Sequence, residues 1–143
     1  LGYVEEHVLP RLYREAPVNS IWEGSGNVQC LDVLRALARS PETLDVLKAE
    51  LASARGANAA YDRACDELDA HVAAAVADEA RARVAVERMA LLVQASLLLR
   101  HAEPVVADAF VASRLAPRCL AYGGLEDASA IDALLGVMAL PDA

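Results

Sequence analysis

Aromatic side chains are scarce in this chain of 143 residues: they make up 4% of it, although hydrophobic residues make up 56%. The apolar content is therefore mostly alanine, leucine and valine. Alanine and leucine favour helix, and no segment alternates apolar and polar residues over the length of a strand. The length is sufficient for a domain with its own core. We therefore predict an all-α fold, built as a helical bundle.

The chain also has no long uninterrupted hydrophobic run. Its longest apolar stretch, residues 84–99, contains Glu87, Arg88 and Gln94. A helix that crosses a bilayer needs roughly 20 mostly apolar residues with few charges. We therefore expect residues 84–99 to form a buried bundle helix, and we expect no membrane contact.

Cysteine and histidine are few and widely spaced. The three cysteines are Cys30, Cys65 and Cys119, and the three histidines are His7, His71 and His101. Neither set has the spacing of a disulfide framework or of a metal site. We expect the cysteines to be reduced core thiols of a cytoplasmic protein, the histidines to lie at surfaces or interfaces, and no metal to be bound.

Prolines, glycines and capping residues divide the chain into segments. We predict helices over residues 10–15, 27–38, 41–54, 57–76, 79–100, 104–115 and 129–138. Pro10, Pro41 and Pro104 suit first helical turns, and Ser40 and Asp78 suit capping positions. An extended link over residues 18–22 follows Pro17, and residues 122–124 form a turn.

We place a domain boundary near Ser40. Residues 1–40 would be the end of a larger helical fold, and residues 41–143 would form an additional helical bundle with short loops. Because the chain begins at Leu1, we expect a fragment of a longer protein. The apolar stripe of helix 28–37 should then be uncovered in the isolated chain, unless self-association buries it.

Charge is unevenly distributed. The chain has 21 acidic and 13 basic residues, a net charge of −8. Residues 62–79 are strongly acidic, whereas residues 81–118 contain an excess of arginine: Arg81, Arg83, Arg88, Arg100, Arg114 and Arg118. We expect the acidic and basic helices to pair with each other and with solvent. The alternative is a stripe that binds a polyanion such as DNA, which the overall charge does not favour.

The most informative stretch is residues 19–30, Asn-Ser-Ile-Trp-Glu-Gly-Ser-Gly-Asn-Val-Gln-Cys. Trp22 precedes the carboxylate of Glu23, two glycines flank Ser25, and the pattern becomes helical from Val28. Desolvation by the indole would raise the pKa of Glu23, and the dipole of the following helix would oppose that rise. This arrangement suits proton abstraction. The alternative is an exposed turn in which Ser25 or Asn27 caps the helix and Glu23 is solvated.

These residues resemble the C-terminal end of the flavin-dependent acyl-CoA dehydrogenase fold. That family has a Gly-Tyr element, an Arg-Asp-Ala-like segment, and Tyr-Glu-Gly-Thr followed by a helix with Ile-Gln. The counterparts here are Gly2-Tyr3, Arg14-Glu15-Ala16, Trp22-Glu23-Gly24-Ser25 and Val28-Gln29. The amino-acid sequence of residues 10–27 is most similar to the bacterial adaptive-response, alkylation-protection branch of this family. That branch adds a helical domain after the dehydrogenase core.

The resemblance implies specific roles. Glu23 would be the base that removes the α-proton of an acyl-CoA thioester while the β-hydrogen leaves as hydride to the flavin. Trp22 and Gly24 would contact the substrate, and Trp22, which replaces the usual tyrosine, could narrow the acyl pocket. Ser25, Gly26 and Asn27 would meet the adenosine-diphosphate portion of FAD. The parent protein would be a homo-oligomeric enzyme, and this fragment alone would be inactive.

Two other functions remain open at this stage. The resemblance to the adaptive-response branch also fits a flavin-containing, DNA-associated alkylation-protection protein with little dehydrogenase activity. Alternatively, residues 41–143 form a helical oligomerisation module, which a large exposed apolar face would favour. Arg14 is expected to be an ion-pairing residue of the core fold. Tyr61, Phe110 and Tyr122 are expected to be core aromatics.

Overall fold

A computed structural model describes residues 2–22, 24–115 and 128–138. These residues form helices and no strand, so the all-α prediction is confirmed. The α-helices of the described residues are α1 Leu9–Glu15, α2 Gly26–Arg39, α3 Glu42–Ala52, α4 Ala59–Asp66, α5 Leu68–Ala77, α6 Ala82–His101, α7 Pro104–Arg114 and α8 Ala128–Met138. Short 3-10 helices span Ala16–Ser20 and Glu79–Arg81. The predicted turn at residues 122–124 lies outside the described residues.

Several helix starts follow the local signals in the sequence. Pro10 and Pro104 lie in the first turns of α1 and α7. The Asp78 side chain accepts a hydrogen bond from the Ala80 N–H at 3.0 Å, as expected of a cap. Asn58 caps α4 in the same way, accepting from the N–H groups of Ala60 and Tyr61. We had not predicted the Asn58 cap.

The predicted extended link over residues 18–22 is wrong. Residues Ala16–Ser20 form a 3-10 helix with Pro17 in its first turn, and the N–H groups of Ile21 and Trp22 both donate to the Val18 carbonyl. Proline is tolerated at the start of a helix because its missing N–H needs no intrahelical partner there. Pro17 therefore ends one helix and begins the next turn.

The predicted single helix over residues 57–76 is two helices. It divides at Glu67, which separates α4 from α5. No glycine or proline marks the break. Tyr61 and Ala64 of α4 are buried in the same core cluster as Leu68 and Val72 of α5. The two helices therefore contribute to one core, and Glu67 between them keeps helical φ and ψ values of −80° and −13°.

Helix α6 is the centre of the bundle, with α2, α3, α4, α5 and α7 packed against it. The main core cluster includes Leu51, Tyr61, Leu92 and Val111, and Phe110 packs against it partly buried. Tyr61 and Phe110 are therefore core aromatics as predicted, while Tyr122 lies outside the described residues.

A smaller core cluster joins α2 to α5 and α6. It contains Leu34, Ala75, Ala82 and Ala85, with Cys30 and Leu31 packed against it. The expectation that the 28–37 stripe would be uncovered is therefore wrong: Leu34 is buried, Leu31 and Leu37 are half-buried, and Val28 is 46% exposed. Small alanines on α6 allow close approach of the helices. The domain boundary near Ser40 stays a prediction, and α2 packs across it.

The remaining expectations concern single side chains and the membrane. Cys30 and Cys65 are free, half-buried thiols, and Cys119 lies outside the described residues. His7 and His101 are exposed, whereas His71 is half-buried. Over the part of the chain that the structure describes, no helix combines the length and apolarity that crossing a bilayer requires.

Candidate functional site

The turn that leads into α2 displays large apolar side chains. Ile21 and Trp22 follow the 3-10 helix and are 68% and 70% exposed. Glu23, the expected base, lies outside the described residues. Gly24 has a φ of 121°, and its N–H donates to the Ile21 carbonyl at 3.1 Å. Side chains are strained at this φ, and a Cβ there would lie 3.2 Å from the Gln29 Nε2 atom. The turn therefore requires glycine at position 24.

Helix α2 begins directly after this turn. Ser25 is the N-cap residue, with extended φ and ψ, and its side chain makes no capping hydrogen bond. Its carbonyl accepts the Gln29 N–H at 3.1 Å. The N–H groups of the first helical turn, from Gly26 onward, have no intrahelical acceptor, and they lie at the positive end of the helix dipole. Such a helix start attracts anionic groups.

An arginine from a distant part of the chain reaches the same helix start. Arg83, the second residue of α6, donates from Nη1 to the Asn27 Oδ1 atom at 3.1 Å. A Cβ built on Gly26 would lie 3.8–4.0 Å from the Arg83 guanidinium atoms. Sequence reasoning placed Arg83 in the arginine-rich segment but missed this contact. No local pattern connects residues so far apart in the chain.

Ion pairs occur both within and between helices. Lys48 of α3 pairs with Asp69 of α5 at 2.6 Å, Arg55 pairs with Asp66 at 2.7 Å, and Arg100 pairs with Glu50. Arg35 pairs with Asp32 within α2 at 2.6 Å, and Arg81 lies 3.9 Å from Asp78. The expected pairing of the acidic segment 62–79 with the arginine-rich segment 81–118 is thus seen at Arg81 and Asp78, whereas Asp66 and Asp69 pair with Arg55 and Lys48. Arg14 pairs with Glu5 at 2.6 Å, which confirms its expected ion-pairing role.

A cavity of about 280 Å³ lies elsewhere in the fold, and its lining includes Lys48, Leu51, Arg55 and Cys65. Burial raises the pKa of the Cys65 thiol, although a hydrogen bond with Tyr61 opposes this rise. The neutral thiol is thus favoured, and a thiol is a weak nucleophile compared with its thiolate. We therefore assign Cys65 a structural role.

The comparisons with known proteins bear on the turn and on α2. A model of the "Acyl-CoA dehydrogenase, C-terminal domain" family matches residues 1–38. The predicted resemblance to the acyl-CoA dehydrogenase family is confirmed. The match includes the whole segment from Trp22 to Asn27 and ends one residue before the end of α2.

Two curated relatives extend this similarity. AidB of Escherichia coli (strain K12), which is classed provisionally as an acyl-CoA dehydrogenase, is 41% identical over 110 residues, or 77% of this chain and 20% of AidB. Acyl-CoA dehydrogenase family member 11 of Caenorhabditis elegans is 54% identical over 37 residues, which is 26% of this chain and 6% of that protein. The chain therefore spans about a fifth of the length of the E. coli relative.

The structure thus brings together the candidate residues that it describes. Gly24, Ser25, Gly26 and Asn27 lie at the start of α2, and Trp22 lies on the preceding turn. Arg83, which contacts this group, lies outside residues 1–38, where the family model matches. Among the described residues, no group of three His, Cys, Asp or Glu side chains is placed to hold a metal ion.

Proposed function

We propose that this chain is the C-terminal part of a longer FAD-dependent protein similar to acyl-CoA dehydrogenases, and that Glu23 is its catalytic base. The observation that carries the proposal is the family match over residues 1–38, which includes every candidate site residue from Trp22 to Asn27. Of these residues, Trp22 and Gly24 lie on the turn before α2, and Ser25, Gly26 and Asn27 lie at its start, where main-chain donors can act on a ligand.

The proposed reaction removes two hydrogens from an acyl-CoA thioester, one from Cα and one from Cβ. The flavin, when bound, accepts the β-hydrogen as a hydride. The Glu23 carboxylate takes the α-proton, which the polarised thioester carbonyl makes acidic. Desolvation next to the Trp22 indole would raise the pKa of Glu23 towards that of a working base. The main-chain N–H of Glu23 would donate to the thioester oxygen, where negative charge develops.

The start of α2 fits the anionic part of FAD. Ser25, Gly26 and Asn27 would meet the adenosine-diphosphate portion, because the first N–H groups of a helix and its positive dipole end favour phosphate. Gly26 has no side chain to obstruct such an approach, and the Arg83 guanidinium adds positive charge beside it. Gly24 would contact the substrate at the turn, as the resemblance implies.

The exposed apolar residues support assembly with further protein. Tyr3, Val8, Leu12 and Tyr13 are all more than half exposed, and they fall within the family match. Scattered exposed apolar residues are ordinary, but this concentration in one short segment is typical of surfaces that other protein covers. We propose that the rest of the longer protein and its oligomer partners cover it. The free thiols Cys30 and Cys65 are typical of a reducing compartment such as the cytoplasm.

The visible absorption spectrum of the longer protein tests this function. We expect the purified protein to carry a flavin absorption band that bleaches when a suitable acyl-CoA from a panel of chain lengths is added anaerobically. A purified protein that neither retains nor binds FAD would contradict the proposal. Retained flavin that no acyl-CoA bleaches would favour the alternative of a flavin-containing protective protein with little dehydrogenase activity.

A further inference from the structure

We propose that Arg83 is a positioning residue of the flavin site, acting through the side-chain amide of Asn27. The inference rests on the proposed function, in which Asn27 meets the adenosine-diphosphate portion of FAD. Arg83 Nη1 donates to Asn27 Oδ1 at 3.1 Å. The amide oxygen of Asn27 therefore faces Arg83. The Nδ2 group then faces away from Arg83 and would donate to a phosphate or hydroxyl oxygen of the dinucleotide.

The chemistry of the two groups determines which end of the amide faces the arginine. A guanidinium has five N–H donors and no acceptor, whereas an asparagine amide has one acceptor end and one donor end. Only Oδ1 can satisfy Arg83, so the arginine selects one of the two amide orientations. The selected orientation exposes two N–H donors, which suits an anionic ligand. The opposite orientation would present a carbonyl oxygen to that ligand.

The packing of α6 on α2 holds Arg83 at this position. Its neighbours Ala82 and Ala85 are buried against Leu34 of α2 in the smaller core cluster. The first turn of α6 is therefore fixed relative to α2, although the Arg83 side chain itself is exposed. Because the helices are fixed, the guanidinium needs to order only its own side chain to reach Asn27.

The charge at this position also favours an anionic ligand. Cations are stabilising near the C-terminus of a helix and unfavourable near its N-terminus. Arg83 nevertheless places its guanidinium beside Gly26 and Asn27, in the first turn of α2. A diphosphate bound there would offset the repulsion between the guanidinium and the positive end of the α2 dipole, because its negative charge would face both of them.

Helix α6, which lies beyond the residues that the family model matches, would contribute to the flavin site. Arg83 lies in α6, whereas the model of the acyl-CoA dehydrogenase C-terminal domain matches residues 1–38. The segment that adds α6 to the fold would therefore shape the flavin site, in addition to any role in assembly.

FAD affinity of the longer protein provides the first test, measured by titrating the apoprotein and following flavin fluorescence. We expect Arg83→Met, which removes every donor at this position, and Asn27→Ala each to raise the dissociation constant for FAD about tenfold, the loss of one oriented hydrogen bond. The double variant should be no weaker than the weaker single variant, because both changes remove one interaction. Arg83→Lys, which can still donate to Oδ1, should stay within about threefold of wild type.

Arg81→Met is the matched control, because it removes the same charge two residues away, from a side chain that lies 3.9 Å from Asp78. We expect it to change FAD affinity by less than about twofold, because no contact connects it to Asn27 in the proposal. An equal loss in Arg81→Met would show a general charge effect and overturn the proposal. Fully additive losses in the Arg83 and Asn27 variants would overturn it as well.

A second measurement separates this proposal from the proposed function. In the ¹⁵N-labelled 143-residue chain, Arg83→Met should shift the side-chain amide signals of Asn27, whereas Arg81→Met should leave them in place. Unshifted signals would overturn the positioning role even if FAD binds. A wild-type longer protein that does not bind FAD would contradict the proposed function, and the amide signals would still decide whether Arg83 orients Asn27.

Discussion

The hydroxyl of Tyr61 donates a hydrogen bond to the main-chain carbonyl of Leu51 at 2.8 Å, in the middle of the core. Tyr61 is 0% exposed and Leu51 is 2% exposed, so water does not compete for either group. The bond connects α4 to the last turn of α3, where the Leu51 carbonyl also accepts the Ala54 N–H at 3.2 Å. One side chain therefore both fills the core and satisfies a buried carbonyl.

Replacement of Tyr61 by phenylalanine should destabilise the chain by about 0.5–1.5 kcal/mol, because the hydrogen bond from the hydroxyl is lost while the Leu51 carbonyl keeps the Ala54 N–H. Urea unfolding at pH 7, followed by far-ultraviolet circular dichroism, measures the difference. Tyr13→Phe is the matched control, since Tyr13 is 70% exposed, and it should change the free energy of unfolding by less than about 0.5 kcal/mol. Equal effects of the two substitutions would show that the Tyr61 hydrogen bond contributes nothing.

Stability should decline in alkaline solution. Burial raises the pKa of the Tyr61 hydroxyl and that of the Cys65 thiol above their ordinary values. Each group then keeps its proton in the folded chain at pH values where the unfolded chain releases it. Their contribution is complete below about pH 8.5, the ordinary pKa of a thiol, and is lost as the pH rises through the raised values.

Urea unfolding at pH 7, 9 and 10.5 checks this dependence. The free energy of unfolding should fall between pH 7 and 9, where the unfolded thiol ionises, and again between pH 9 and 10.5, where the unfolded phenol ionises. The free energy of unfolding of the Tyr61→Phe variant should fall less steeply between pH 9 and 10.5. Stability that stayed constant to pH 10.5, or an equally steep fall in the variant, would contradict the prediction.

In the longer protein, Glu23→Gln should retain FAD and lose acyl-CoA-dependent bleaching. A glutamine keeps the size and polarity of the side chain but cannot accept the α-proton, and loss of a general base typically costs a factor of about 10² to 10⁴ in rate. Stopped-flow absorbance of the flavin band measures the bleaching rate. Glu15→Gln, which changes an exposed carboxylate at the end of α1, should leave the rate unchanged. Bleaching at the wild-type rate in Glu23→Gln would place the base at another residue.

The 143-residue chain should bind DNA only weakly. Non-specific affinity comes mainly from clustered lysine and arginine that release counterions, and this chain has a net charge of −8. Arg100 and Arg81 also lie next to the carboxylates of Glu50 and Asp78. Fluorescence anisotropy with a labelled duplex in about 150 mM salt should show a dissociation constant above about 1 μM. Tighter binding with a steep salt dependence would favour the DNA-associated alternative.

Local patterns in the sequence predicted most of the helices and the segment that resembles acyl-CoA dehydrogenases. The starts of α1, of the 3-10 helix Glu79–Arg81 and of α7 follow from Pro10, Asp78 and Pro104, because capping and first-turn proline are properties of a few adjacent residues. The similarity of residues 1–38 to acyl-CoA dehydrogenases could likewise be recognised from consecutive residues such as Trp-Glu-Gly-Ser. These features need no knowledge of what lies across the core.

Tertiary packing decided the rest. The cover of Leu34 by α6 and the contact of Arg83 with Asn27 both depend on residues far apart in the chain. A helical period shows that a face is apolar, but not which helix covers it. The amino-acid sequence alone thus determined the helical class and the Glu-Gly-Ser turn. Only the folded bundle decided that an arginine of α6 would lie at that turn, because the close alanine packing of α6 on α2 brings the two first turns together.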